Sequence, residues 1–267
     1  MERETGTSEL LCDVRDRVAT ITLNRPEAKN ALTMDMKEAL YRLLREIEED
    51  AGIGSVLLTG AGGAFSAGGD TKRMQGEGKP PVMEDRQRQL RWEHEIPRML
   101  HTGSKPTIAM LPGPAAGAAC SLALSCDLRI AGESAFLVTA FARLGLSGDY
   151  GGSWFLTQLV GPAKAREIYF TGDRLDASTC LELGLVNRVV PDAELAAEGF
   201  AWAARIAAGP PIALRFMKEN LNRALDSDLD ACLDFEADRM VRAAQTDDYT
   251  EAVAAFVEKR APRFEGK

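Results

Sequence analysis

Two runs of uninterrupted apolar residues, each followed at once by a loop of glycine and alanine, limit what this chain can become. "SVLLTG" leads into "GAGGAFSAGGD", and "KPTIAML" leads into "PGPAAGAACSLALSCD". A strand without polar alternation is covered on both faces, as a parallel strand is inside an α/β protein. Glycine and alanine directly after it let another backbone, or a ligand, come close. The second loop runs on into "LRIAGESAFLV", another strand pattern. Strand, small-residue loop, helix and strand thus recur, which predicts an α/β fold of repeated ββα units with helices outside. The two loops are then expected side by side.

The rest of the chain fits around that repeat. "ELLCDVRD" and "VATITL" flank Asp16-Arg17 and read as a hairpin. Thr33 is placed to cap a helix in which Met36, Ala39, Leu40, Leu43, Leu44 and Ile47 recur at helical spacing as far as Asp50. From about Leu156 the patterns are helical, with "NRVV" as the one strand candidate. The expected organisation is a ββα core over residues 1–195, carrying the site, and a C-terminal helical region over 196–267. The apolar faces of those last helices exceed what they can cover alone, which predicts contacts between subunits.

Composition removes several function classes. At 267 residues and 45% hydrophobic, the chain is long enough for a large core. Its 32 Lys and Arg stand against 40 Asp and Glu, a net charge of -8, and no dense basic block is present to track a phosphate backbone. Nucleic acid is therefore not the expected partner. "MERETGTSELLCDVRDR" lacks the apolar centre of a signal peptide, and "AAGAACSLALSC" is too short to span a bilayer. A cytoplasmic protein with no membrane partner is expected. Cys12, Cys120, Cys126, Cys180 and Cys232 are odd in number, scattered and never in a CxxC arrangement, so they read as reduced thiols rather than a disulfide framework or zinc site.

Backbone N–H groups hold an oxyanion only where no side chain blocks the approach, a condition met by Gly68-Gly69 and by Gly117-Ala118. The helix beginning at "AACSLALS" would add its N-terminal amides and dipole. Tight turns or close helix packing explain such clusters equally, and the pattern alone leaves both readings open. The first loop lacks the Lys-Ser/Thr ending of a phosphate-binding P-loop, which disfavours nucleotide hydrolysis. "ARLGLSGDYGGSW" carries one carboxylate, Asp149. It reads either as the cap of a helix starting near Gly152 or as an acid/base group among Phe141, Leu144, Leu146, Tyr150 and Trp154. Poor solvation there would favour the neutral acid, as general acid and base work needs. His94 and His101 lie seven residues apart in "RQRQLRWEHEIPRMLH" and read as surface or packing residues of one charged helix, to which Glu93 and Glu95 belong too.

"NRPEAKNAL", "LLTGAGGAFSAGGDTK", "KPTIAMLPGPAAGAACSLALSCDLRIAGESAF", "LTGDRLDAS", "LGLVNRVV" and "AFVEKRAPRF" together resemble the crotonase family, the enoyl-CoA hydratases and isomerases, over nearly the whole chain. The resemblance implies a spiral of ββα units with a C-terminal helical oligomerisation region that builds trimers, often paired as hexamers. It also implies an acyl-CoA thioester as ligand, with no metal and no cofactor apart from the coenzyme A of the substrate itself. By the same resemblance the N–H groups of Gly69 and Ala118 form the oxyanion hole. Arg25, Ala28, Ala67, Gly68, Asp70, Thr71 and Lys72 fall where the family wraps the nucleotide and pantetheine, and Phe256 and Lys259 where a neighbouring subunit's last helix reaches the adenine and phosphates.

The departures from the family pattern matter more. Its hydratases place two catalytic glutamates where this chain has Ser121 and Phe141, and neither can activate water or protonate carbon at neutral pH. Asp149, eight residues after Phe141, resembles the branch that works with a single carboxylate there, including phenylacetyl-CoA isomerases and some enoyl-CoA isomerases. The implied function is an acyl-CoA isomerase that shifts a double bond, or rearranges an unsaturated or cyclic acyl group, with Asp149 as acid and base. A hydratase using Asp149 with a borrowed partner and a catalytically silent acyl-CoA binder are the alternatives. Ser121, Thr139, Phe141, Leu146 and Tyr150 are expected to shape the acyl pocket, bordered by residues from about Met74 to Leu100.

Overall fold

Strands β1 (Glu2–Arg3), β2 (Leu10–Arg15) and β3 (Val18–Leu23) form an antiparallel ribbon in the computed structural model, which describes residues 1–70 and 82–267. The turn between β2 and β3 is the expected one: Asp16 and Arg17 both take left-handed backbone, φ 49° and 61°, as a two-residue type I′ hairpin requires. Helix α1 (Met34–Glu49) then crosses over the sheet. The Thr33 hydroxyl accepts the Met36 amide at 3.1 Å, and all six apolar residues of the predicted stripe are buried. Burial of an aliphatic side chain contributes roughly 1.5–3 kcal/mol against about 1 kcal/mol for a cap, so the stripe holds the helix and the cap fixes where it starts.

The two uninterrupted apolar runs become β4 (Ser55–Gly60) and β5 (Thr107–Leu111), buried on both faces. With β7 (Leu128–Gly132) and β10 (Arg188–Val190) they extend the ribbon in parallel, giving the order β1-β2-β3-β4-β5-β7-β10. A smaller sheet holds β6 (Ala115–Ala116), β8 (Phe136–Val138) and β9 (Leu175–Asp176). "LRIAGESAFLV", expected as one strand, is therefore two strands in different sheets. Successive turns of the chain supply β5 and β6, then β7 and β8, then β9 and β10, one strand to each sheet. This is the spiral of ββα turns that the resemblance implies.

Helices α2 (Met83–Glu93) and α3 (Glu95–Thr102) replace the single helix expected over "RQRQLRWEHEIPRMLH". The physical reason is Pro97: a continuous helix would need its missing N–H and would drive its ring into the carbonyl of Glu93, so the chain turns at His94. Helices α4 (Ala118–Leu124), α5 (Gly152–Thr171, broken at Gly161 before Pro162) and α6 (Ala177–Glu182, capped by the Asp176 carboxylate) pack about the smaller sheet and the core behind it. Helix α7 (Leu195–Ala207) covers the other face of the large sheet, where Leu195, Trp202, Ala203 and Ala207 meet Val18, Leu57, Ile108 and Ile130. Its apolar face is thus covered within the chain. Helices α8 (Pro211–Ala224), α9 (Leu229–Ala243) and α10 (Asp247–Glu258) instead leave Leu221, Leu229, Met240, Phe256 and Val257 exposed. No helix among the described residues is long and apolar enough to cross a membrane.

Candidate active site

The two small-residue loops meet because of what one glycine lacks. Gly68 has φ +86°, and a β-carbon on it would lie 2.4 Å from the Ala116 carbonyl oxygen and 3.4 Å from the Ala118 amide nitrogen. Only glycine lets the first loop lie this close to the second. Parallel bridges of Leu32 to Gly69 and of Ser66 to Ala115 hold the loop on both sides. The buried Ser66 hydroxyl donates to the Asn30 carbonyl at 2.7 Å and accepts the Gly68 amide at 3.1 Å. Gly117 precedes α4, which leaves Ala118 at the first helical position, where an amide has no intrahelical acceptor. Gly69 and Ala118 both line one cavity of about 470 Å³, and among the described residues neither amide donates to a protein carbonyl. Two uncommitted N–H groups at one cavity are what an oxyanion hole requires.

Asp149 lines the same cavity, and its role as helix cap is overturned. The cap of α5 is Gly151, in left-handed conformation, and no side chain bonds there. The Asp149 carboxylate instead accepts the Tyr150 amide at 2.9 Å and sits 2.5 Å from His94 Nε2. Tyr150 is itself at φ +54°, a conformation costly for a side chain of this size, held by a phenol that is almost completely buried. His94, expected as a surface or packing residue, is therefore corrected to a direct partner of Asp149. At the turn between α2 and α3, His94 lines the cavity, with its side chain 38% exposed. His101 is in contrast a packing residue, edge-on to Trp154 and Phe155, and burial holds its pKa below the usual imidazole value. Trp154 packs on His101 and Phe155 and is not part of the cavity lining.

Glu93 is the second carboxylate of the cavity and is only 1% exposed. Lys37 Nζ donates to its Oε2 at 2.7 Å, while Gln89 Nε2 and Arg86 Nη1 reach Oε1 at 3.0 and 3.3 Å. The Tyr150 phenol completes the set, donating to Oε2 at 3.4 Å. Burial, with the Glu93 and Asp149 charges added, pushes that phenol far above its ordinary pKa, so it remains a neutral donor. Lys37, Arg86 and His94 are the residues that sequence reasoning missed. Lys37 borders the buried stripe of α1 by position, and nothing in its surroundings in sequence distinguishes it from a solvated lysine. Glu95 faces solvent and pairs with Arg98.

The remaining expected positions divide. Phe141, Leu146 and Tyr150 line the cavity, Phe141 stacking on Tyr169 with ring centres 5.9 Å apart. Ser121 and Thr139 do not line it: the Thr139 hydroxyl donates to the Ile168 carbonyl at 3.2 Å, and Ser121 Oγ lies against Gly152, where a β-carbon would approach it to 2.1 Å. Arg25, Ala67, Gly68 and Asp70 come together beside the first loop, with Arg25 Nη1 3.3 Å from an Asp70 oxygen and the Ala67 amide on the Lys29 carbonyl at 2.8 Å. Ala28 ends the short 3-10 turn Pro26–Ala28 next to them. Thr71 and Lys72 lie outside the described residues. Phe256 is exposed, Lys259 ends α10 in left-handed conformation, and neither borders the cavity within one chain.

Comparison with known proteins agrees with the fold and loops. Residues 13–267 match the family model for enoyl-CoA hydratase/isomerase. The chain is 38% identical over 258 residues to a 1,2-epoxyphenylacetyl-CoA isomerase of Escherichia coli strain K12, covering 97% of this chain and 98% of the relative. It is 34% identical over 254 residues to a short-chain-enoyl-CoA hydratase of Clostridium acetobutylicum, covering 95% and 96%. A crystal structure of an enoyl-CoA hydratase from Bacillus anthracis superimposes with a TM-score of 0.92 at 34% identity, covering 97% of this chain and all of that one (100%). With the match running from the second strand to the last residue, the chain belongs to the enoyl-CoA hydratase/isomerase family of the crotonase superfamily.

Proposed function

We propose that this chain is an acyl-CoA isomerase in which Asp149 is the single acid and base. The observation that carries the reading is the composition of the cavity: two uncommitted amides, Gly69 and Ala118, with Asp149 in the same lining and no carboxylate at Ser121 or Phe141. Glu93, the other carboxylate of the lining, is bound by two cations. In a β,γ-enoyl thioester, Asp149 takes a proton from the α-carbon and the electrons of that C–H bond move onto the carbonyl oxygen as a dienolate. The two amides hold that oxyanion; one such donor is worth about 2.7–4 kcal/mol in a dry site. The Asp149 carboxylic acid then returns the proton to the γ-carbon, giving the conjugated enoyl thioester. The similarity to the Escherichia coli isomerase supports the same class.

The His94 contact favours a second reading, hydration, because it gives Asp149 the titratable partner that the two-group addition of water needs. One experiment separates the two. Incubating the protein with a β,γ-enoyl-CoA in deuterated water and following deuterium at the α and γ carbons by mass spectrometry is expected to show exchange or isomerisation in the wild type and neither in Asp149→Asn. Absence of both exchange and isomerisation in the wild type across short, long and aromatic thioesters sinks the isomerase reading. Loss of the enoyl absorbance of crotonyl-CoA by addition of water supports hydration instead.

A further inference from the structure

The cavity holds a second polar centre that the isomerase chemistry does not use. Two cations, Lys37 and Arg86, line it together and share one buried carboxylate, Glu93. An ammonium has three N–H donors and a guanidinium five. Among the described residues Glu93 takes one from each, and no other bond to Lys37 Nζ or the Arg86 guanidinium is present. The Lys37 side chain is 12% exposed, so its charge is largely withdrawn from bulk water. The cluster is separated from Asp149 by the length of Tyr150, whose amide serves Asp149 and whose phenol serves Glu93. A wholly hydrocarbon acyl tail reaching this wall would strip water from donors and offer nothing in return. An acceptor of negative charge would satisfy them, and a carboxylate matches a guanidinium in geometry.

We infer that the acyl group bound here carries a carboxylate on the carbon chain beyond the reacting carbons, received by Lys37 and Arg86 with Glu93 setting their positions. This rests on the reading that the cavity holds the acyl part of an acyl-CoA. Leu90, Leu144 and Leu146, which line the same space, then cover the methylenes between the thioester and the charged end.

Binding of saturated thioesters tests this without any turnover. By titration calorimetry on the full chain, adipoyl-CoA, its monomethyl ester, hexanoyl-CoA and free coenzyme A are compared. Adipoyl-CoA is expected to bind at least about tenfold more tightly than hexanoyl-CoA, about 1.4 kcal/mol, with the ester close to hexanoyl-CoA. Arg86→Gln, at a side chain 39% exposed and with an amide donor kept for Glu93, is expected to reduce the advantage, and Lys37→Met to remove it. Equal or tighter binding of hexanoyl-CoA by the wild type overturns the inference while leaving the acyl site standing, as does an undiminished preference in both variants. If all three thioesters bind no better than coenzyme A itself, the acyl group is not in this cavity and both readings fall.

Discussion

Gly68→Ala strikes the contact on which the proposed oxyanion hole depends. Two costs follow from the structure. The first is conformational: alanine at φ +86° costs roughly 1–2 kcal/mol relative to glycine. The second is steric, because the new β-carbon would lie 2.4 Å from the Ala116 carbonyl oxygen, short of ordinary contact by about 1 Å, and the obstacle is backbone that cannot rotate away. One loop must therefore move by that amount, and the amides of Gly69 and Ala118 separate. A misplacement of about 1 Å costs on the order of 100-fold in rate. Gly63→Ala isolates the first cost, since Gly63 is also left-handed, φ +77°, with nothing within 4 Å of its β-carbon position. Urea unfolding and isomerisation of a β,γ-enoyl-CoA, measured on both variants, are the assays. Gly63→Ala is expected to lose roughly 1–2 kcal/mol of stability with wild-type kcat, and Gly68→Ala to lose more stability and about 100-fold in kcat. A folded Gly68→Ala enzyme with wild-type kcat refutes the assignment of these amides.

His94→Gln is expected to leave deuterium exchange within about tenfold of wild type, since Asp149 alone carries the proton, and to abolish any hydration of crotonyl-CoA. Thr33→Ala removes the acceptor of the Met36 amide and should cost about 1 kcal/mol in urea unfolding with no change in kcat. Burial raises Cys12 to a pKa of about 11 and Cys120, Cys126 and Cys180 to about 12, against 9.0 for a free thiol. Their neutral forms are favoured in the fold, so this contribution to stability is whole below pH 9 and is lost progressively as the pH rises from 9 through 11 to 12. Unfolding at pH 8 and pH 10.5 should show the loss. A thiol reagent at pH 8 should modify Cys232 alone before denaturation.

Much of this fold was legible because its signals are local. The left-handed pair at Asp16-Arg17, the Thr33 cap with its stripe of apolar residues, and the two buried strands each depend on residues close together in sequence. The Gly/Ala loops announced a close backbone approach and their place after two buried strands put them side by side; the tertiary structure added the atoms that meet, Gly68 against the Ala116 carbonyl. Local reasoning misled where a distant consequence mattered. Pro97 ended one helix and began another, so the helix expected to carry His94 and His101 on one face has a turn at His94, and the two histidines serve different surroundings.

The site itself was only half written in local sequence. Gly69 and Asp149 stand at loop positions, and Ala118 at a helix start, whose spacing and small neighbours mark them, and residue type already excluded Ser121 and Phe141 as bases. That Ser121 lies against Gly152 rather than in the cavity depends on how α4 meets α5, which no local pattern states. The same holds for the pairing of His94 with Asp149, 55 residues apart, and of Lys37 with Glu93, 56 apart. Sequence determines propensity, caps and turns because those energies act within a few residues. Which charges face one another in a cavity is decided only when sheet and helices pack, because an ion pair has an energy only once two distant segments are brought within a few ångströms and away from water.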